Sequence, residues 1–169
     1  MYATGAGTAA EIGSGSQMDI SGNGATGVYA SGGATATIAN GATLALTGSG
    51  AIAGVVDGNT YADDGTLIET GTGAQLNNAA TISSTVEGAT AFIAKNSGTL
   101  DNSGDILLTG PTPRPFRYWG NVNNTGNITA NGTALYVGEG EQGSLHHHQQ
   151  RNRCWRPTVV PPLNWRQAV

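Results

Sequence analysis

The first 110 residues of this 169-residue chain contain no arginine, proline, tryptophan, histidine or cysteine. Residues 120–145 lack the same five types, so all of them fall in two windows, 111–119 and 146–166. Each scarcity excludes something. A lone Cys154 allows no intrachain disulfide framework. No apolar run is long enough to span a bilayer as a helix. Charged residues are 11% and aromatics 6%, too few for the dense core and site chemistry of an ordinary enzyme of this length. Residues 1–110 carry nine acids and one base, Lys95, a net of −8. Such a body does not bind nucleic acid by neutralising phosphates.

What is present is glycine, 27 residues of it, and a repeat. Four segments align without gaps: ATIANGATL (36–44), AQLNNAATI (74–82), GTLDNSGDI (98–106) and GNVNNTGNI (120–128). Their starts lie 38, 24 and 22 residues apart. A second block recurs as GATGVYA (24–30), GAIAGVV (50–56), GATAFIA (88–94) and GTALYVG (132–138). Glycine this dense is costly inside a helix, about 1 kcal/mol each relative to alanine. Thr, Val, Ile and Tyr favour pleated surface, and the Asn, Gly and Asp between the short apolar runs punctuate turns. A unit of this size holds about three short strands and cannot bury its apolar face alone. Stacking the units pairs each strand with its copy above, at about 4.8 Å. The expected fold is all-β, a right-handed parallel β-helix (β-solenoid) over 1–144, with an irregular tail at 145–169. Asn40, Asn78, Asn102 and Asn124 hold one position of the aligned repeat and are expected to form a structural ladder at a bend. Ile38, Leu44, Leu76, Ile82, Leu100, Ile106, Val122 and Ile128 are expected to stack inward.

The strings GTLDNSGDI and GNVNNTGNI, with the blocks GATAFIA and GTALYVG, resemble the passenger domains of bacterial autotransporters, over residues 1–110 and 120–144. The resemblance implies a right-handed β-helix displayed at the cell surface, often as an adhesin, in a parent anchored by a C-terminal membrane barrel. A partner would then be a host or cell-surface ligand, with no nucleic acid, no cofactor, and membrane contact only through the barrel. No charged segment followed by an apolar one opens the chain, so no signal peptide is visible. On this reading the chain stays cytoplasmic although its parent is exported.

The two windows read as foreign. PTPRPFRYW (111–119) stands where ATAFIAKNS (89–97) recurs at an offset of 22, and Pro111, Pro113 and Pro115 remove ladder donors where a strand should pair. Shifted codons for 111–119 allow Asp-Ala-Ala-Ala-Leu-Ser-Val-Leu, and those for 146–155 allow TTTNNGTVAG; both restore the style of the repeat. The expectation is a compensated double frameshift followed by an out-of-frame tail, in a truncated or decayed gene product.

Candidate sites are few. His146, His147 and His148 are adjacent and cannot share one face, so no metal site is assigned. Arg151, Arg153, Arg156 and Arg166 alternate with Trp155 and Trp165 in the manner of a nucleic-acid tail, but out-of-frame translation yields the same residues. GNGATG (22–27) and GEGEQG (138–143) match a dinucleotide fingerprint without its strand-to-helix context. Asp57, Asp63 and Asp64 lie in the longest repeat, whose extra loop could protrude to bind a ligand or simply form a solvated turn. Lys95 is the only base of the repeat body, and no nucleophile–base pair is visible. No catalytic residue is assigned. The functional expectation is non-enzymatic display or adhesion. The alternative is a carbohydrate-active, polysaccharide lyase-like enzyme on a β-helix.

Overall fold

The computed structural model describes residues 1–118, 120–131 and 136–137, with 114–118 and 136–137 by their backbone. The chain winds as a right-handed parallel β-helix with three sheets. The first sheet stacks β1 (Tyr2–Thr4), β4 (Thr26–Ser31), β7 (Ile52–Asp57), β12 (Thr90–Lys95), β15 (Arg114–Tyr118) and β18 (Tyr136–Val137). The second stacks β2 (Ala9–Ile12), β5 (Thr35–Ile38), β10 (Gln75–Asn78), β13 (Thr99–Asn102) and β16 (Asn121–Asn124). The third stacks β3 (Gln17–Ile20), β6 (Thr43–Leu46), β11 (Thr81–Ser84), β14 (Ile106–Leu108) and β17 (Ile128–Ala130). Every pairing within these sheets is parallel. Five successive coils, 2–20, 26–46, 52–84, 90–108 and 114–130, each place one strand in every sheet.

Alternation explains which residues face in. In the second sheet Ala36, Leu76, Leu100 and Val122 share one register column, and all are buried. In the third, Leu44, Ile82 and Ile106 form a buried column that continues below to Met18 and above to Ile128. In the first, Val28, Gly54 and Phe92 stack inside. Gly54 is the space in which the Phe92 ring lies: a Cβ there would stand 3.0 Å from the ring and 3.1 Å from Leu76. Alanines fill the remaining inward places (Ala30, Ala53, Ala91 and Ala94), so a narrow coil closes without large side chains.

Along the first sheet Gly27, Ala53, Ala91 and Pro115 share one column in the four coils from 26–46 to 114–130, and the register is unshifted on either side of it. The prolines do not prevent a strand: Arg114–Tyr118 pairs with both β12 and β18. Pro115, which has no amide hydrogen, lies between Arg114 and Phe116, whose Cα partners are Thr90 and Phe92. Pro111 and Pro113 precede the strand, and the Pro111 carbonyl accepts from the Gly88 amide at 3.0 Å. The register also differs from the aligned offset of 22, because Thr90 pairs with Arg114 and Phe92 with Phe116. The tail at 145–169, with His146, Arg151 and Trp155, lies outside the described residues.

Candidate functional site

Two side-chain systems and one insertion distinguish the coils. The first system closes the corner between the second and third sheets. Asn78 Nδ2 donates to Asn102 Oδ1 at 2.6 Å, and Asn102 Nδ2 donates to Asn124 Oδ1 at 2.6 Å. The same amides bind within their own bends, to the carbonyls of Ala80 (3.2 Å), Gly104 (3.0 Å) and Gly126 (2.9 Å). All three asparagines are buried. Asn40 does not stand with them. The Cα partner of Asn78 is Ile38, which sits above Ile12, and Asn40 is exposed in a turn.

Bend length is the reason. Ile38 and Thr43 are joined by residues 39–42, whereas Asn78 and Thr81, their partners in the next coil, are joined by 79–80 alone. The longer bend is closed by the backbone, Ala42 N to Ala39 O at 3.1 Å, with Gly41 at φ +83° supplying the conformation a side chain resists. The bend at 13–16 repeats this, Ser16 N to Gly13 O at 3.2 Å with Gly15 at φ +78°. The shorter bend lacks that backbone closure, and the Asn side chain bridges it instead. Short bends also stack tightly: a Cβ on Gly104 would collide with the Ala80 carbonyl.

The second system surrounds Asp57, the last residue of β7, whose side chain is fully buried. Asp57 Oδ2 accepts from Tyr29 Oη at 2.8 Å and pairs with Lys95 Nζ at 2.9 Å. Its Oδ1 accepts from Asn96 Nδ2 at 2.8 Å and from the Asn59 amide at 3.1 Å. Burial pushes this carboxyl upward, but the hydrogen bonds from Asn96, Lys95, Tyr29 and Asn59 together outweigh it and hold it below the ordinary aspartate value of 3.8. The Tyr29 phenol moves the other way, far above its ordinary range, through burial first and then its hydrogen bond to Asp57 and that residue's charge. The Tyr29 ring stacks on Tyr2 at 5.6 Å.

This arrangement has a chemical consequence. An ionised carboxylate offers about four lone-pair directions. Asp57 uses four donors, so no direction remains for a substrate proton. Sequence reading passed over the pair because the repeat block was taken one residue short. Extended by one, GAIAGVVD and GATAFIAK place Asp57 and Lys95 in the same column, and the structure pairs them there.

The insertion begins after Asp57. Strands β8 (Thr60–Tyr61) and β9 (Leu67–Glu69) form an antiparallel hairpin. Its root is sewn to neighbouring coils, Gly32 N donating to Asn59 O at 3.0 Å and Gly58 N to Lys95 O at 3.0 Å, and is closed on itself by Thr72 Oγ1 to Gly58 O at 2.7 Å. Asn59 Oδ1 accepts from Gly71 N at 3.2 Å, tying the two legs. Asp63 and Asp64 lie exposed at the tip, away from Asp57. The Thr66 amide donates to Asp64 Oδ1 at 2.9 Å and holds that carboxyl low. Leu67 and Ile68 project into solvent, 49% and 65% exposed.

The remaining sequence candidates resolve simply. GNGATG at 22–27 joins β3 to β4 through a turn, Ala25 N to Gly22 O at 3.0 Å, with no helix following. GEGEQG at 138–143 lies outside the described residues. Among the described residues no three His, Cys, Asp or Glu side chains converge as metal ligands. Nothing matches the chain among protein-family models, curated proteins or solved structures.

Proposed function

We propose that the chain is a non-enzymatic display segment: a β-helical stalk that holds one hairpin away from its wall for adhesion to a host or cell-surface ligand. The observation that carries this reading is the contrast within residues 57–73. The root of the insertion is fixed by a buried carboxylate with four donors, and its second strand exposes Leu67 and Ile68. Exposed apolar side chains on a rigid root are what a recognition element requires. The repeat style supports an autotransporter-type passenger as parent. The windows at 111–119 and 145–169, where shifted codons allow the style of the repeat, support a truncated or decayed copy of it. Flanking DNA that encodes a signal sequence upstream and a barrel downstream, both out of frame, is the expected finding for that parentage. Intact flanking frames without them would remove it.

The enzyme reading, a polysaccharide lyase-like β-helix, needs a cation to neutralise a uronate and a free base to abstract a proton. Lys95 is the only base in residues 1–110, and it is engaged by an Asp57 with no free lone pair. The test compares the labelled chain with a Leu67→Ser/Ile68→Ser variant on host-cell monolayers. Binding is expected to fall about tenfold while the melting temperature is unchanged. Equal binding by the variant, or release of unsaturated products from a polyuronate, would overturn the display reading.

A further inference from the structure

Where the bends change length, the wall of the solenoid steps. Turns 13–16 and 39–42 project, whereas the bends after Asn78, Asn102 and Asn124 are drawn in by their own side chains. The step leaves a groove of about 360 Å³ along the corner between the second and third sheets, lined by Thr37, Asn40, Asn77, Asp101, Asn123 and Thr125 among others. Asn40, Asn77 and Thr37 make no side-chain hydrogen bond to any described residue. Asp101 accepts from Gln75 Nε2 at 3.0 Å and from Asn123 Nδ2 at 3.3 Å, one bond to each oxygen, which leaves acceptor capacity on both.

We infer that this groove binds a neutral, extended polysaccharide chain lying along the solenoid axis. The lining offers donors and acceptors of the short amide, hydroxyl and carboxylate kinds that pair with vicinal hydroxyls. The rungs repeat at about 4.8 Å, close to the residue repeat of an extended 1,4-linked hexose chain, so successive sugars meet Thr37, Asn77, Asp101 and Asn123 in turn. A polyuronate is repelled by Asp101 and by the acidic body, whose residues 1–110 carry a net of −8. A peptide strand finds no purchase, because the β5, β10, β13 and β16 backbones are already paired with one another. No aromatic side chain lines the groove, so binding is weak, with a dissociation constant of about 1 mM.

The inference goes beyond the display reading and stands apart from the hairpin. The test is a titration of the full chain with cellohexaose and with oligogalacturonate, followed by amide NMR shifts. Cellohexaose is expected to move the amides of residues 37–40, 77–79, 101–103 and 123–125, and oligogalacturonate to leave them in place. Asn77→Ala is expected to weaken cellohexaose binding about tenfold, as is Asn40→Ala, whose exposed turn folds without that side chain. Leu67→Ser/Ile68→Ser is expected to bind cellohexaose normally, which separates this site from the hairpin. No shifts in these segments, equal shifts from the uronate, or unchanged affinity in both asparagine variants would each overturn the inference.

Discussion

The two lower coils and the three upper coils turn the same corner by different means. Below, Gly15 and Gly41 take a left-handed backbone and the peptide groups close the bend themselves, above inward-facing Ile12 and Ile38. Above, Asn78, Asn102 and Asn124 enter the same column, shorten the bend and bond to one another. The lower device closes each bend within its own backbone, and one amide, Gly15 N to Gly41 O at 3.1 Å, links the two bends. The upper device is shared, since each amide serves its own bend and its neighbour. A shared device is more costly to interrupt, because one removal orphans buried groups in two coils.

The sharpest way to probe the boundary is Asp57, which stands where the lower coils meet the upper. Asp57→Ala leaves Lys95, Asn96, Tyr29 and the Asn59 amide without their acceptor, and denaturant titration should show a loss of about 3–4 kcal/mol. The same residue sets a pH dependence. A carboxyl held low when folded contributes stability above the ordinary aspartate value of 3.8 and loses it as pH falls toward its folded value. Tyr29, held high, contributes below its ordinary value of 10.0 and loses that contribution as pH rises through the alkaline range. Stability measured against pH should therefore fall at both ends. Asp57→Asn should flatten the acid limb and Tyr29→Phe should reduce the alkaline one; unchanged limbs would exclude the cluster as their source.

Next in size is the ladder. Asn102→Ala removes the acceptor of Asn78, the donor to Asn124 and the closure of its own bend, and should cost about 2–3 kcal/mol by thermal or chemical melting. In the lower coils Gly41→Ala forces a side chain to φ +83° and places a Cβ near the Ser14 hydroxyl; about 1 kcal/mol is expected. Smallest is Asn40→Ala, an exposed turn position, where the melting curve should move by less than about 0.5 kcal/mol. An Asn40→Ala cost equal to that of Asn102→Ala would erase the distinction between the two corners.

Much of this fold was legible in the residues. The strand blocks, their parallel stacking and the inward aliphatics follow from short β-favouring runs between turn residues, and the structure shows them. Two things were hidden. A gapless alignment of ATIANGATL with AQLNNAATI matches Asn40 to Asn78, but the chain slips by two residues because one bend is longer. Letter identity cannot reveal a length change that lies inside the motif itself. Likewise Lys95 and Asp57 are 38 positions apart, and only the stacking of coils across the inserted hairpin makes them neighbours. The acids that stood out by adjacency, Asp63 and Asp64, lie at the exposed tip, while the one that is buried looked like any other turn residue.

The strand at Arg114–Tyr118 bears on how such a chain tolerates change. Its letters no longer resemble the repeat, and Pro115 brings no amide hydrogen, yet Arg114 and Phe116 on either side of it keep their places above Thr90 and Phe92. The coil beneath acts as a template that fixes the path of the next. Drift in sequence can therefore accumulate in a coil while the winding persists, and a stretch of foreign letters still follows the track laid down by its neighbour.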